Sequence, residues 1–98
     1  MEIQENIKGD VLIFTPKISS LDAKNSTEFK QRIVNSAHAN RIIKVVLDLE
    51  SVHFIDSSGL GCLISILRAL NSEGGNLKLA KINKLIQNMF ELVSMNKI

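Results

Sequence analysis

The run Phe54-Ile55-Asp56-Ser57-Ser58-Gly59-Leu60-Gly61 gathers an acid, two hydroxyls and two glycines where an apolar strand gives way to a helix. Little polar chemistry is concentrated elsewhere in the chain, so function is expected at this junction. Gly59 and Gly61 give the backbone room at such a turn, and either Ser57 or Ser58 can cap the exposed amides of the first helical turn. Ser58 suits the cap better because it directly precedes Gly59-Leu60, which leaves Ser57 facing solvent. Asp56, just outside the helix start, interacts favourably with the helix dipole by ~0.3–1 kcal/mol, and a carboxylate there also suits magnesium or a phosphate-handling partner. Phosphate on Ser57 would add about −1.5 to −2 charges and three acceptor oxygens beside that carboxylate, partly stabilised by the helix amides. The electrostatics of the surface would change without the domain having to refold.

Other chemistries fit poorly. A G-x-S-x-G nucleophile elbow needs glycine two residues before the serine, and Ile55 or Asp56 stands there instead. His38 and His53 have no recognisable spacing to a nucleophile and an orienting third group. His38 reads as a polar residue ending a helix, and His53 as part of the turn into the junction. Gly59-x-Gly61 does not continue into a dinucleotide fingerprint, and no Gly-Lys-Ser/Thr phosphate loop occurs. The one cysteine, Cys62, lies within an apolar segment and reads as a small packing residue. A second polar segment, Ser19 to Ser26, is either a solvated loop feeding a helix or a recognition loop. In a parallel or mixed sheet it would share an edge with Asp56-Ser57.

The elements that must position these residues follow from hydrophobic periodicity. Val11-Leu12-Ile13-Phe14 reads as a strand ended by Pro16, with Ile3 and Ile7 in an irregular partner strand. From Ser26, Phe29, Ile33, Val34 and Ala37 fall at helical spacing, with Asn25 or Ser26 as cap. Ile42 to Leu49 is nearly continuous in Ile, Val and Leu, which predicts a strand covered on both faces. Leu60, Leu63, Ile64, Leu67 and Leu70, widened by Cys62 and Ile66, form the stripe of a second helix stopped by Gly74-Gly75. Asn76 to Ile82 alternates, with Leu77, Leu79 and Lys81 on one side. A last helix is expected over residues 84–93, its apolar side supplied by Leu85, Ile86, Met89, Phe90 and Val93, and another strand could begin at Met95 to Ile98. This order is α/β.

At 98 residues the chain is the size of one small domain. Its net charge of +2 comes from scattered basic residues, which argues against direct nucleic-acid binding. No apolar stretch approaches the ~20 residues of a membrane span, and the N-terminus has no basic-then-apolar leader, so a soluble protein of a reducing compartment, the cytoplasm, is expected.

The junction resembles the STAS family, specifically the small stand-alone bacterial anti-sigma factor antagonists. The resemblance rests on Val45-Val46-Leu47-Asp48-Leu49, then Phe54 to Gly61, a helix, a Gly-Gly turn and Leu77-Lys78-Leu79, and it covers nearly the whole chain. Leu21-Asp22 also matches, although Ser19 or Ser20 replaces the glycine common just before it. The resemblance implies a single STAS-like domain over residues 1–98, with a mixed β-sheet and helices packed mainly on one face. Members commonly continue into another short strand and helix, which would leave residues 1–98 without the family domain's last two elements. It further implies an antagonist that binds an anti-sigma serine kinase and so releases a sigma factor. That kinase phosphorylates the first serine after the motif aspartate, here Ser57, which ends binding, and a metal-dependent serine phosphatase restores it. ATP and magnesium would belong to the kinase, so this chain needs no cofactor, holds no metal and has no catalytic residues. Carried over by position, Ser57 is the switch, Asp56 shapes the phosphoacceptor site, and Ser58 and Gly59 form the cap and turn. Asp22, Leu60 and Gly61 complete the partner-binding surface. A monomer forming transient complexes is expected. The alternatives are an adaptor module that recruits another kinase, a transporter or a signalling complex without sigma-factor control; a small serine hydrolase; and a structural module whose serines merely cap a helix.

Overall fold

The computed structural model describes residues 1–92. The chain opens with an antiparallel hairpin of β1 (Ile3–Lys8) and β2 (Val11–Pro16), in register from Ile3 opposite Pro16 to Lys8 opposite Val11. The two-residue turn starts with Gly9 at φ 61°, a conformation glycine adopts without a Cβ penalty. Pro16 closes β2, as its missing N–H requires. The short strand β3 (Ser20–Leu21) leads to helix α1 (Ser26–Asn40), which returns the chain to β4 (Lys44–Asp48). Strand β5 (Phe54–Ile55), helix α2 (Ser57–Asn71), strand β6 (Asn76–Ala80) and helix α3 (Lys84–Leu92) follow.

The main sheet has the order β1-β2-β4-β6, with β2, β4 and β6 parallel and β1 antiparallel at the edge. The mixed sheet is therefore present. Each parallel strand is added on the same side of the last, so two right-handed crossovers carry α1 and α2 to one face. There the alternating residues of the strands, Leu12, Phe14, Val45, Leu47 and Leu77, are buried against Phe29, Ile33 and Ala37 of α1 and Leu63, Ile66, Leu67 and Leu70 of α2. Cys62 is buried with them, as a packing residue should be.

The opposite face has no helix among the described residues. This corrects the expectation that the Ile42–Leu49 strand is covered on both faces: Val46 is only half-buried and Lys44 is exposed. The strand's apolar run reflects its central position and β-propensity instead of double burial. Two further expectations change. Lys81 does not continue the alternation of β6; it turns out at φ 57° and pairs with Asp48 and Glu50 at 3.5 and 3.6 Å. Leu85 does not join the apolar side of α3, where Ile86 and Phe90 are buried; it is 60% exposed. Val93 and Met95 to Ile98 lie outside the described residues.

Helix α2 ends before the glycine pair, and the chain then reverses through Gly74 (φ 82°), with the Gly75 amide donating to the Leu70 carbonyl at 2.8 Å. Gly75 has a second reason to be glycine. A Cβ there would overlap the Ile43 carbonyl oxygen where the chain enters β6.

Candidate functional site

Strands β3 and β5 pair in parallel as a separate two-stranded sheet, Ser20 opposite Phe54 and Leu21 opposite Ile55. Leu21 and Ile55 are buried, and they fix the two polar loops that follow them side by side. The segment Ser19 to Ser26 thus does share an edge with Asp56-Ser57.

Asp56 joins the two loops. With extended backbone (φ −91°, ψ −175°) it is the N-cap of α2: Oδ1 accepts from the Gly59 amide at 2.8 Å and its carbonyl accepts from Leu60 N–H at 2.9 Å. Its Oδ2 accepts from the Ala23 amide across the gap at 3.2 Å, and its own N–H donates to the Leu21 carbonyl at 3.2 Å. The cap is therefore Asp56, which corrects the assignment of Ser58 to that role. All three residues are competent caps; what selects Asp56 is that from its position one carboxylate can satisfy both the helix and the Ala23 loop. Both oxygens are used inside the fold.

The facing loop is similarly self-bonded. The Ser20 hydroxyl donates to Asp22 Oδ2 at 2.7 Å, Lys24 N–H donates to Asp22 Oδ1 at 3.0 Å, and the Asp22 amide donates to Asn25 Oδ1 at 2.9 Å. Asn25 Nδ2 donates back to the Ser20 carbonyl at 2.9 Å. The Ser20 hydroxyl, followed by the Lys24 amide, holds the Asp22 carboxyl below its ordinary value. Asn25 flanks α1 without a side-chain cap bond because its amide is spent on this loop.

Gly59 is set by contact. A Cβ at this position would overlap the Leu21 carbonyl oxygen and sit 2.9 Å from Ile55 Cγ2, so α2 approaches β3 this closely only with glycine. Gly61 differs: a Cβ there meets nothing within 4 Å, so room at the turn is not the reason for this second glycine. Leu60 is half-buried behind the turn.

Ser57 and Ser58 occupy the first two positions of α2, and both are exposed. Neither hydroxyl has a hydrogen-bond partner among the described residues. Neither histidine ring is hydrogen-bonded to these hydroxyls among the described residues. His38 pairs with Glu73 at 3.1 Å, next to the far end of α2, and a 15-residue helix separates the two ends by about 22 Å. His53 is exposed, with its carbonyl accepting from Asn83 Nδ2 at 3.2 Å. Among the described residues no group of three or more His, Cys, Asp or Glu could hold a metal ion, and no helix is long and apolar enough to cross a membrane.

A model of the STAS domain matches residues 2–98. The chain belongs to the STAS domain family. This STAS domain is 29% identical over 92 residues to a candidate anti-sigma factor antagonist of Thermotoga maritima, a match covering 94% of the chain and 80% of that protein. It is 22% identical over 97 residues to the anti-sigma-B factor antagonist of Bacillus subtilis, covering 99% of the chain and 78% of the relative. The crystal structure of the Thermotoga maritima protein superimposes with a TM-score of 0.88 at 28% identity, covering 98% of this chain and 81% of that one. A Bacillus cell fate determinant in its phosphorylated form shares the fold, with a TM-score of 0.76 at 16% identity over 98% of this chain and 86% of that one. The domain thus stands among regulatory STAS domains close to the anti-sigma factor antagonists.

Sequence reasoning missed two parts of the site. The Ala23 amide carries no side-chain signal at all. The Leu21 carbonyl, which dictates Gly59, belongs to a strand of two residues, too short for any periodicity. The cap itself was legible, since Asp56, Ser57 and Ser58 are all N-cap residue types, but the sequence does not rank the three.

Proposed function

We propose that this STAS domain is an anti-sigma factor antagonist that binds an anti-sigma serine kinase and is switched off by phosphorylation of Ser57. The observation that carries the reading is the exposed, unpartnered Ser57 hydroxyl at the first position of α2, beside an Asp56 whose two oxygens are engaged within the fold. A kinase needs an accessible hydroxyl on a rigid support, and the cap and the Ala23 bond supply that rigidity. Asp22, Asp56, Ser58, Gly59, Leu60 and Gly61 form or support the surrounding surface. The domain acts as binding module and substrate. ATP and magnesium belong to the kinase, a metal-dependent phosphatase reverses the modification, and the exchange takes place in the cytoplasm, where a sigma factor works. The relatives named as anti-sigma factor antagonists, and a protein of the same fold known in phosphorylated form, support this reading.

The test is quantitative recovery of partners from native lysate with the wild-type chain and Ser57→Asp, alongside far-UV circular dichroism of both. A serine kinase enriched by the wild type alone, with unchanged dichroism, is expected. Equal recovery of the same proteins by both would refute the switch and favour an adaptor. Ser57→Ala should abolish kinase-dependent phosphate incorporation; undiminished phosphate mapped to Ser58 would move the site by one residue.

A further inference from the structure

Strand β3 has a neighbouring strand on one edge only, β5. Toward β5, the Ser19 carbonyl accepts from the His53 amide at 2.8 Å and the Leu21 carbonyl from the Asp56 amide at 3.2 Å. Successive peptide groups of a strand point to opposite sides, so its other edge presents the Ser20 carbonyl and the Asp22 amide. The carboxamide of Asn25 stands where a strand would: Oδ1 accepts from Asp22 N–H at 2.9 Å and Nδ2 donates to the Ser20 carbonyl at 2.9 Å. A carboxamide carries the donor and acceptor of a peptide group, so this one side chain pairs with the free edge as a third strand does.

Helix α1 does not account for the residue. Asparagine is among the best caps, yet Asn25 flanks the helix at φ −123°, ψ −8° without a side-chain cap bond. It reaches back over Asp22 to Lys24 instead, and the Asp22 carbonyl closes this short loop by accepting from the Asn25 and Ser26 amides at 3.2 and 2.9 Å. Ala23 and Lys24 are exposed, so hydrogen bonds and not packing set where the loop lies. Asn25 makes the two that tie it back to β3. On the far side of the loop the Ala23 amide meets Asp56 Oδ2 at 3.2 Å, directly before Ser57.

We infer that Asn25 is a positioning residue for the modification of Ser57: as a surrogate strand on β3 it holds Asp22 to Lys24 in the conformation that sets the Asp22 carboxylate and the Ala23 amide beside the phosphoacceptor turn, the form the kinase binds. This rests on the reading of Ser57 as phosphoacceptor, and it assigns recognition to a side chain whose own hydrogen bonds go to β3 and not to Asp56 or the serine. Alanine has neither group of the carboxamide. Aspartate keeps the acceptor, loses the donor to the Ser20 carbonyl and adds a charge next to Asp22.

The test compares the full wild-type chain with Asn25→Ala and Asn25→Asp, first by hydrogen exchange read amide by amide. In both variants the Asp22 and Ala23 amides should lose protection at least about 10-fold, while Gly59, held by the other oxygen of Asp56, keeps its own. The serine kinase captured by the wild-type chain is then purified, and ATP-dependent phosphate transfer to Ser57 of each chain is followed at a temperature where far-UV dichroism shows all three folded. If the loop is in its binding conformation in about a tenth of the variant molecules, KM rises about 10-fold with kcat unchanged. A residue that only stabilised the fold would leave KM where it was. An unchanged KM in variants whose Ala23 amide has lost protection would therefore overturn the positioning role and leave the Ser57 switch standing. Unchanged protection would overturn the surrogate-strand contact itself. Absence of phosphate from Ser57 of the wild type would refute the phosphoacceptor reading, and this inference with it.

Discussion

Gly59 and Gly61 lie two residues apart in one helix, yet replacing each by alanine should have effects of opposite sign. At Gly61 the helix is exposed and a Cβ meets nothing within 4 Å. Alanine there gains the intrinsic helix preference of about 0.5–1 kcal/mol and loses nothing. In a domain of this size that corresponds to a rise in Tm of about 2–8 °C. Gly59→Ala gains the same preference, but its Cβ overlaps the Leu21 carbonyl oxygen and crowds Ile55 Cγ2 at 2.9 Å. Backbone cannot rotate aside as a flexible side chain would, so either the start of α2 or the β3–β5 pair must move. Overlap with backbone puts this site in the upper part of the usual overpacking range, about 2–3 kcal/mol, which leaves a net loss of about 1–2.5 kcal/mol. Thermal and urea melts followed at 222 nm measure both variants against the wild type. Gly59→Ala as stable as the wild type, or Gly61→Ala less stable by more than about 0.5 kcal/mol, would refute the argument that close approach to Leu21 selects the first glycine and not the second.

Two further outcomes follow from the same geometry. Asp56→Ala should lose about 1 kcal/mol from the cap and about 0.5–1.5 kcal/mol from the Ala23 bond, whereas Asp56→Asn, which keeps the cap acceptor but turns its NH2 toward the Ala23 N–H, should lose only the second of these. Urea unfolding distinguishes them, and equal losses would mean that the charge, not the cap, carries the effect. Burial pushes the Cys62 thiol up from an ordinary 9.0 to about 11. The folded protein therefore keeps this proton to higher pH than the unfolded chain does, so the contribution is intact below about pH 9 and is lost as pH rises toward 11. Wild type should lose more stability across that window than Cys62→Ala, and the thiol should react with Ellman's reagent at pH 8 only at the rate of unfolding; rapid labelling of the folded chain would contradict its burial.

How much of this was legible beforehand depended on whether a signal was local. The stripes of α1 and α2 and the apolar run of β4 were readable because helix and strand periods repeat several times within each. The second layer of information was not. Strands β3 and β5 contain two residues each, and they exist only because Leu21 and Ile55, far apart in sequence, are buried together. Without them the Ala23 amide could not be known to face Asp56, and three adjacent capping residues could not be ranked. Val46 misled because a central strand with one open face can be as rich in β-branched residues as one buried on both. Leu85 fitted the periodicity of α3, but periodicity cannot tell a residue facing the core from one at the margin of the stripe.

The locked state of Asp56 bears on how phosphorylation of Ser57 would act. Two terms would operate within the isolated domain. The start of α2 favours an anion by about 0.3–1 kcal/mol. Repulsion from the Asp56 carboxylate, for about two added charges at about 6 Å in water, amounts to about 1.4 kcal/mol. The two nearly cancel, and neither Asp56 oxygen is released by the change, so the fold should hardly respond. The balance shifts once a partner excludes water. At an effective dielectric of about 20 the same separation gives about 5 kcal/mol, and the phosphates of a nucleotide in the partner's site would add to it. A modification worth little to the domain would then be worth several powers of ten to the complex. The phosphorylated chain should accordingly melt within a few degrees of the unmodified one and keep the Ala23 amide protected from hydrogen exchange; loss of that protection would mean that the switch works by rearranging the loop and not by charge alone.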